Sequence, residues 1–177
     1  MRLFVAINFM PGTISRLAAL RDELRAISRG GNFTLTENLH LTLVFLGDCD
    51  ERQVKVARTA IDGTNFAPFD LMIESIGKFK RDGGDLWWAG ARENKPLMDL
   101  QCSLTDNLSA VGFVLEKRKF SPHITLGRKV ISNAAPHQID PFGETVTRID
   151  LMKSEHIGSR LTYTTIHTRR KNCEAIL

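Results

Sequence analysis

Two tetrapeptides constrain this chain more than anything else in it. His40-Leu41-Thr42-Leu43 recurs as His123-Ile124-Thr125-Leu126, 83 residues later (from 40 to 123) and close to half a chain away. In each, polar and apolar residues alternate with a period of two, as in a strand buried on one face. Residues two apart on a strand point the same way, about 6.6 Å apart. His40 and Thr42 therefore share a face, as do His123 and Thr125. Leu41, Leu43, Ile124 and Leu126 point the other way, into a core. Side by side about a pseudo-twofold axis, two such strands bring two imidazoles and two hydroxyls to one cleft. His137, His156 and His167 lack the Thr and Leu that follow in the motif, and are read as structural.

Such a cleft suits phosphoryl chemistry. An imidazole titrates near pH ~6.5, so one ring can be neutral while the other is protonated. A base and an acid on opposite sides of a phosphorus serve in-line displacement: the base takes a proton from water and the acid gives one to the leaving oxygen. The threonine hydroxyls can donate to phosphoryl oxygens, and Arg128, just past the second motif, can neutralise charge. A lone strand histidine is usually a satisfied structural residue, and a strand threonine usually reflects β-propensity. A structural role, however, gives no reason for the same tetrapeptide twice. Two histidines supply only half a tetrahedral zinc set, with no HExxH, cysteine pair or acidic cluster to complete it. No metal and no cofactor are expected.

The rest of the chain frames these strands. Residues 3–7 read as a buried strand, followed by a Pro11-Gly12 turn. Residues 13–29 read as an amphipathic helix with Ile14, Leu17, Leu20, Leu24 and Ile27 on one face and Gly30-Gly31 as its stop. The first motif strand spans 40–46. Asp50 caps a second helix with Val54, Ala57 and Ile61 inward, ending at Gly63. Strands follow at 69–76 and 86–91, joined by a glycine-rich basic loop, 77–85. Pro96 opens a third helix with the stripe Leu97, Leu100, Leu104, Leu108 and Val111, stopped by Gly112. Strands at 113–115, 124–126, 145–152 and 161–167 complete the reading. Several strands follow one another directly, which predicts an α+β fold with antiparallel or mixed sheet.

Three widely spaced cysteines, Cys49, Cys102 and Cys173, form neither a disulfide framework nor a CxxC site, and a reducing cytoplasm is expected. The opening run Leu3 to Ile7 is too short for the apolar core of a signal peptide, and nothing approaches the ~20 apolar residues of a membrane span. The net charge of +4 suits an anionic ligand without identifying one.

Both motifs and their flanks resemble the 2H phosphoesterase superfamily, and within it the bacterial and archaeal RNA 2′,3′-cyclic phosphodiesterases, historically called 2′-5′ RNA ligases. The resemblance rests on the run from Glu37 to Gly47, on Ser121-Pro122-His123-Ile124-Thr125-Leu126-Gly127-Arg128, on the opening strand from Arg2, and on Leu86-Trp87-Trp88-Ala89-Gly90. It covers about the first three quarters of the chain and weakens after Lys129. It implies one domain spanning 1–177, with two pseudo-symmetric sheet-plus-helix lobes around a central cleft. It implies that His40 donates a proton to the leaving ribose oxygen, that His123 accepts one from water, and that Thr42, Thr125 and Arg128 hold the phosphate. The partner implied is RNA ending in a 2′,3′-cyclic phosphate, the product a 2′-phosphomonoester, and 2′-5′ joining the reverse reaction. A monomer is favoured.

Two segments depart from the family pattern. Asn8-Phe9-Met10-Pro11 lacks the usual acidic residue before proline, and 78–85 maps poorly. Phe79 in that segment could stack on a base, with lysines nearby for phosphates. Lys117-Arg118-Lys119 is either a solvated face or a steering patch for RNA. The motifs leave open a related enzyme acting on small cyclic nucleotides or 2′-5′ oligoadenylates, and a non-catalytic reader of RNA ends.

Overall fold

The chain pairs its strands into one antiparallel sheet in the computed structural model, which describes residues 1–171. In chain order the elements are β1 (Arg2–Asn8), α1 (Pro11–Ala26), β2 (Gly30–Phe33), a 3-10 turn (Thr36–Asn38), β3 (His40–Asp48), α2 (Glu51–Asp62), β4 (Phe69–Phe79), β5 (Asp85–Ala91), α3 (Lys95–Ala110), β6 (His123–Ile131), β7 (His137–Val146), β8 (Arg148–Ile157) and β9 (Arg160–Arg170). The sheet order is β7-β4-β5-β6-β3-β1-β8-β9, with β2 also on β6.

That order is symmetric about the seam between β6 and β3. Each half contains a strand, a helix and a motif strand in sequence: β1-α1-β3 in one, β5-α3-β6 in the other. The fold is α+β with two pseudo-symmetric lobes, as expected. The helices bury apolar stripes against one face of the sheet. Leu97, Leu100, Leu104 and Leu108 of α3 join Leu41, Ile124 and Trp87 of the strands in one core. Asp50 caps α2 through a reciprocal pair with Gln53, the backbone amide of each reaching the other's side chain. Asn94 caps α3, which has Pro96 in its first turn.

Several boundaries differ from expectation, each for a local reason. Gly30-Gly31 opens β2 instead of stopping α1. A Cβ at Gly31 would lie 2.9 Å from Val130, so close strand approach demands glycine there. The 77–85 loop shrinks because β4 continues to Phe79 and β5 starts at Asp85. Residues 113–115 are not a strand: Phe113 N–H folds back onto the Leu108 carbonyl at the end of α3 (3.1 Å), and Val114 is fully exposed. Val111 is an exposed helix cap, outside the buried stripe. The expected strand 145–152 fuses the end of β7 with the start of β8, across a break at Thr147. Cys49 is buried and Cys102 exposed, both free, while Cys173 lies outside the described residues. Among the described residues no helix is long and apolar enough to cross a membrane.

Candidate active site

The two motif strands meet at a single antiparallel pair, Leu41 with Ile124, both fully buried. Extending that register one residue each way sets His40 across from Thr125 and Thr42 across from His123. All four polar residues thus share the face away from the helices.

Each imidazole is held by the same local device. The Nδ1–H of His40 donates to the Asn38 carbonyl at 2.7 Å, and that of His123 to the Ser121 carbonyl, also at 2.7 Å. A carbonyl can only accept, so Nδ1 carries the proton in the neutral rings and Nε2 is left for proton exchange. The His40 Nε2 accepts from the Thr42 hydroxyl at 2.9 Å. Each ring also meets an aromatic edge: Tyr163 lies 5.2 Å from His40 at 84°, and Phe79 lies 5.4 Å from His123 at 88°.

Burial pushes the His40 imidazole down to about 4, against the stabilising Asn38 carbonyl, and the charges of Arg128 and His123 push the same way as burial. His123 is also lowered, first by burial, with the Ser121 carbonyl opposing and Arg118 and Arg128 adding. Burial raises the Tyr163 phenol, with Arg128 and Arg2 pulling the other way. One guanidinium, that of Arg128, therefore acts on both imidazoles and on Tyr163.

Arg128 reaches this face through a fault in the strand. It lies five residues after His123, an odd offset that regular alternation would send to the core side. In β6, Thr125 opposes Trp88 and Gly127 opposes Trp87, so Leu126 is an extra residue. Beyond this bulge the alternation reverses: Leu126 and Gly127 are buried and Arg128 is exposed. Strand β3 bulges at the matching motif position, because Thr42 opposes Ala6 while Val44 opposes Val5. Phe45 holds in β3 the place of Arg128, half-exposed beside Phe4 (5.8 Å between rings).

The floors beside the two histidines differ. Asn8 opposes His40 and Ala6 opposes Thr42; the equivalent positions in the other half are Gly90 opposite His123 and Trp88 opposite Thr125. Trp88 lies flat over glycines, since a Cβ at Gly77 would be 2.2 Å from its ring and one at Gly90 2.8 Å. Phe79 packs against the same indole at 5.4 Å. In the His40 half, Phe4, Ala6 and Met152 form a small separate apolar cluster with Tyr163. Beside it opens a hollow of about 410 Å³, edged by Asn8, Phe9, Leu39, Arg148, Tyr163 and Thr165.

His40, Thr42, His123, Thr125, Arg128 and Phe79 thus lie on or beside one face. Thr42 and Thr125 sit between the rings, and Phe79 is next to His123. Sequence reasoning missed Tyr163. Its one signal was being the sole tyrosine of the chain. Among the described residues no three His, Cys, Asp or Glu side chains gather closely enough to hold a metal ion.

The family model of the 2′-5′ RNA ligase superfamily matches residues 11–157, taking in both motif strands and the bulge that delivers Arg128. The chain belongs to that superfamily. Within it, the RNA 2′,3′-cyclic phosphodiesterase of Archaeoglobus fulgidus is 30% identical over 84% of this chain and 87% of its own length. That of Thermotoga maritima is 34% identical over 72% and 70%. The Escherichia coli enzyme of the same name, 27% identical, aligns over 92% of both chains. The fold is shared with TT0787 of Thermus thermophilus, with a TM-score of 0.82, 26% identity, and 96% and 97% coverage of the two chains. It is shared equally with apo LigT of Escherichia coli, at 0.81, 27% identity and 96% of each chain. The superfamily members therefore carry the resemblance past Lys129, through strands whose sequence is less marked.

Proposed function

We propose that this chain is an RNA 2′,3′-cyclic phosphodiesterase that works by acid-base catalysis between His40 and His123 without a metal, as a single two-lobed domain and a monomer. The observation that carries it is the matched pair of imidazoles, each with Nδ1 fixed on a carbonyl and Nε2 turned away from it, that of His40 towards the Thr42 hydroxyl, under one arginine whose charge reaches both.

His123 takes a proton from water as the water oxygen bonds to phosphorus. The bond from phosphorus to the ribose 3′-oxygen breaks, and His40 delivers a proton to that oxygen. The product is a 2′-phosphomonoester. Thr42, Thr125 and Arg128 hold the phosphoryl oxygens, whose charge grows in the transition state. An acid with a pKa near 4 is a poor proton reservoir at neutral pH. The phosphate monoanion supplies the correction: an opposite charge within a few ångströms favours the imidazolium and raises the pKa. The same groups act in the same direction when a 5′-hydroxyl replaces water: His123 takes its proton as the 5′-oxygen bonds to phosphorus, the bond to the 3′-oxygen breaks with a proton from His40, and a 2′-5′ linkage forms without ATP. Phe79, beside His123, would then stack a base of the entering strand. Two free thiols among the described residues accord with a reducing cytoplasm.

Product analysis on an oligonucleotide ending in a 2′,3′-cyclic phosphate tests this reading. A 2′-phosphate formed in excess EDTA, and lost in both His40→Ala and His123→Ala, is expected. Tight binding with no product would replace the enzyme by an RNA-end reader. Turnover only of mononucleotide cyclic phosphates or 2′-5′ oligoadenylates would move it to another 2H activity.

A further inference from the structure

We propose that Asn38 is a positioning residue for the proton donor: the bond from its side chain to β9 fixes the peptide carbonyl that holds His40, a tie that His123 lacks. This rests on the proton roles assigned above, with His40 as the acid. An acid must present Nε2–H to the leaving oxygen and keep its other proton in place afterwards. Both depend on Nδ1–H staying on the Asn38 carbonyl, 2.7 Å away. The direction of that carbonyl follows the peptide plane between Asn38 and Leu39. Whatever holds that plane aims the acid.

The plane stands at the end of the 3-10 turn Thr36–Asn38. So short a turn has few bonds of its own: the Asn38 N–H donates to the Leu35 carbonyl at 2.9 Å and the Leu39 N–H to the Thr36 carbonyl at 3.3 Å. Side chains therefore set its pose, and they tie it at both ends. At its start, buried Arg21 of α1 donates to the Thr34 carbonyl at 2.8 Å and to the Thr36 hydroxyl at 3.0 Å. At its end, Asn38, only 5% exposed, donates from Nδ2 to the Leu161 carbonyl at 2.8 Å. The amide takes this orientation because its oxygen against a second carbonyl would set two acceptors together. Between the two ties Glu37 pairs with Arg160.

The second tie reaches across the sheet, since β1 and β8 separate β3 from β9. The start of β9 comes back over the cleft face, where Tyr163 meets the rings of Phe4 at 5.0 Å and His40 at 5.2 Å. Leu161, two residues earlier, supplies the carbonyl for Asn38. The other half has no counterpart. Ser121 holds His123 through its backbone, yet it is exposed, and its side chain makes no hydrogen bond among the described residues. The next carbonyl, that of Pro122, accepts from the Ala91 N–H at 3.2 Å, so sheet backbone alone seats the base. The difference matches the tasks. The Asn38 carbonyl is the contact that favours a charged His40 against burial, and a loose turn would weaken the acid in charge as well as in aim.

The test is a double-mutant cycle of Asn38→Ala with His40→Ala, read as kcat/KM for adenosine 2′,3′-cyclic phosphate. A residue that acts only through the acid has nothing to act on once the acid is gone. Asn38→Ala should lower kcat/KM by about tenfold or more in the wild-type chain, and by less than about twofold in the His40→Ala background. A general loss of folded enzyme would cut both by the same factor. Asn38→Asp, which keeps the shape but sets a carboxylate against the Leu161 carbonyl, should behave as Asn38→Ala does. The ring-nitrogen NMR shifts at neutral pH give a second measurement. In Asn38→Ala those of His40 should move toward a mixture of the two neutral tautomers, while those of His123 stay. Equal losses in both backgrounds, or His40 shifts that keep their wild-type values, overturn the positioning role and leave the phosphodiesterase standing. Failure of the wild-type chain to open the cyclic phosphate would instead remove the phosphodiesterase reading, and with it the acid that Asn38 positions.

Discussion

Opposite Thr42 the sheet carries Ala6; opposite Thr125, at the equivalent place in the other half, it carries Trp88. The strand beyond compensates in each case. Asp150 lies next to Ala6, and Gly77 lies next to Trp88. Both halves keep the same strand order and fix their histidine on the carbonyl two residues earlier. What differs is the filling: one half covers its floor with an indole, and the other buries Ala6 with Phe4, Met152 and Tyr163. A pseudo-symmetric scaffold can thus place two like groups equivalently and still give their neighbours unlike tasks, because packing is decided strand by strand.

The sharpest way to break the comparison is to remove each histidine. His40→Ala and His123→Ala should each lower kcat by about 10²–10⁴ on a natural phosphodiester. On a substrate with a nitrophenolate leaving group, which needs no protonation, His40→Ala should recover much of that loss and His123→Ala none. Equal recovery would make the two halves interchangeable. Gly77→Ala comes next, because it drives a methyl into the Trp88 ring and has no counterpart in the His40 half. A loss of about 3 kcal/mol in urea unfolding is expected, and an unchanged midpoint would show that the indole is loosely seated.

Acid separates the halves more gently. The folded pKa of His40 is about 4 against 6.5 for a free imidazole. Above pH 6.5 the stability from its neutral burial is fully present. As pH falls towards 4 the unfolded chain takes up a proton that the folded ring refuses, and that stability is lost. Between about pH 7 and 5 this amounts to about 1–2 kcal/mol, allowing for a ring that is only partly buried. His40→Asn should lose that much less over the same interval, as measured by urea unfolding. The smallest effect concerns the tethers. Asn38→Ala removes the bond to the Leu161 carbonyl and should cost about 1 kcal/mol. Ser121→Ala, where only the backbone carbonyl holds the ring, should cost almost nothing.

The motif strands, the three helices and their buried stripes were legible because their periodicity is regular and Asp50 and Pro96 stand where helix starts require them. Strand β7 was not. It contains Asp140, Pro141 and Gly143, all of which read as breakers. The structure accommodates them because β7 is an edge strand, and residues 139–141 bulge opposite Glu74 alone. Gly77 misled for a related reason: it read as a turn, and it is a seat for Trp88. Which glycine bends the chain and which makes space depends on a neighbour distant in sequence. Tyr163 was invisible on the same ground, since only the pairing of β9 with β8 carries it to His40.

The bulge at Leu126 has a consequence for anyone who would move this chemistry elsewhere. The tetrapeptide grafted onto a straight strand would present its histidine and threonine correctly, yet bury the cation five places on. What must be transplanted is a change of reading frame, one surplus residue between hydroxyl and guanidinium. By the same arithmetic, deleting Leu126 would leave the two motif tetrapeptides short of one apolar residue only and turn Arg128 away from the face that carries His123.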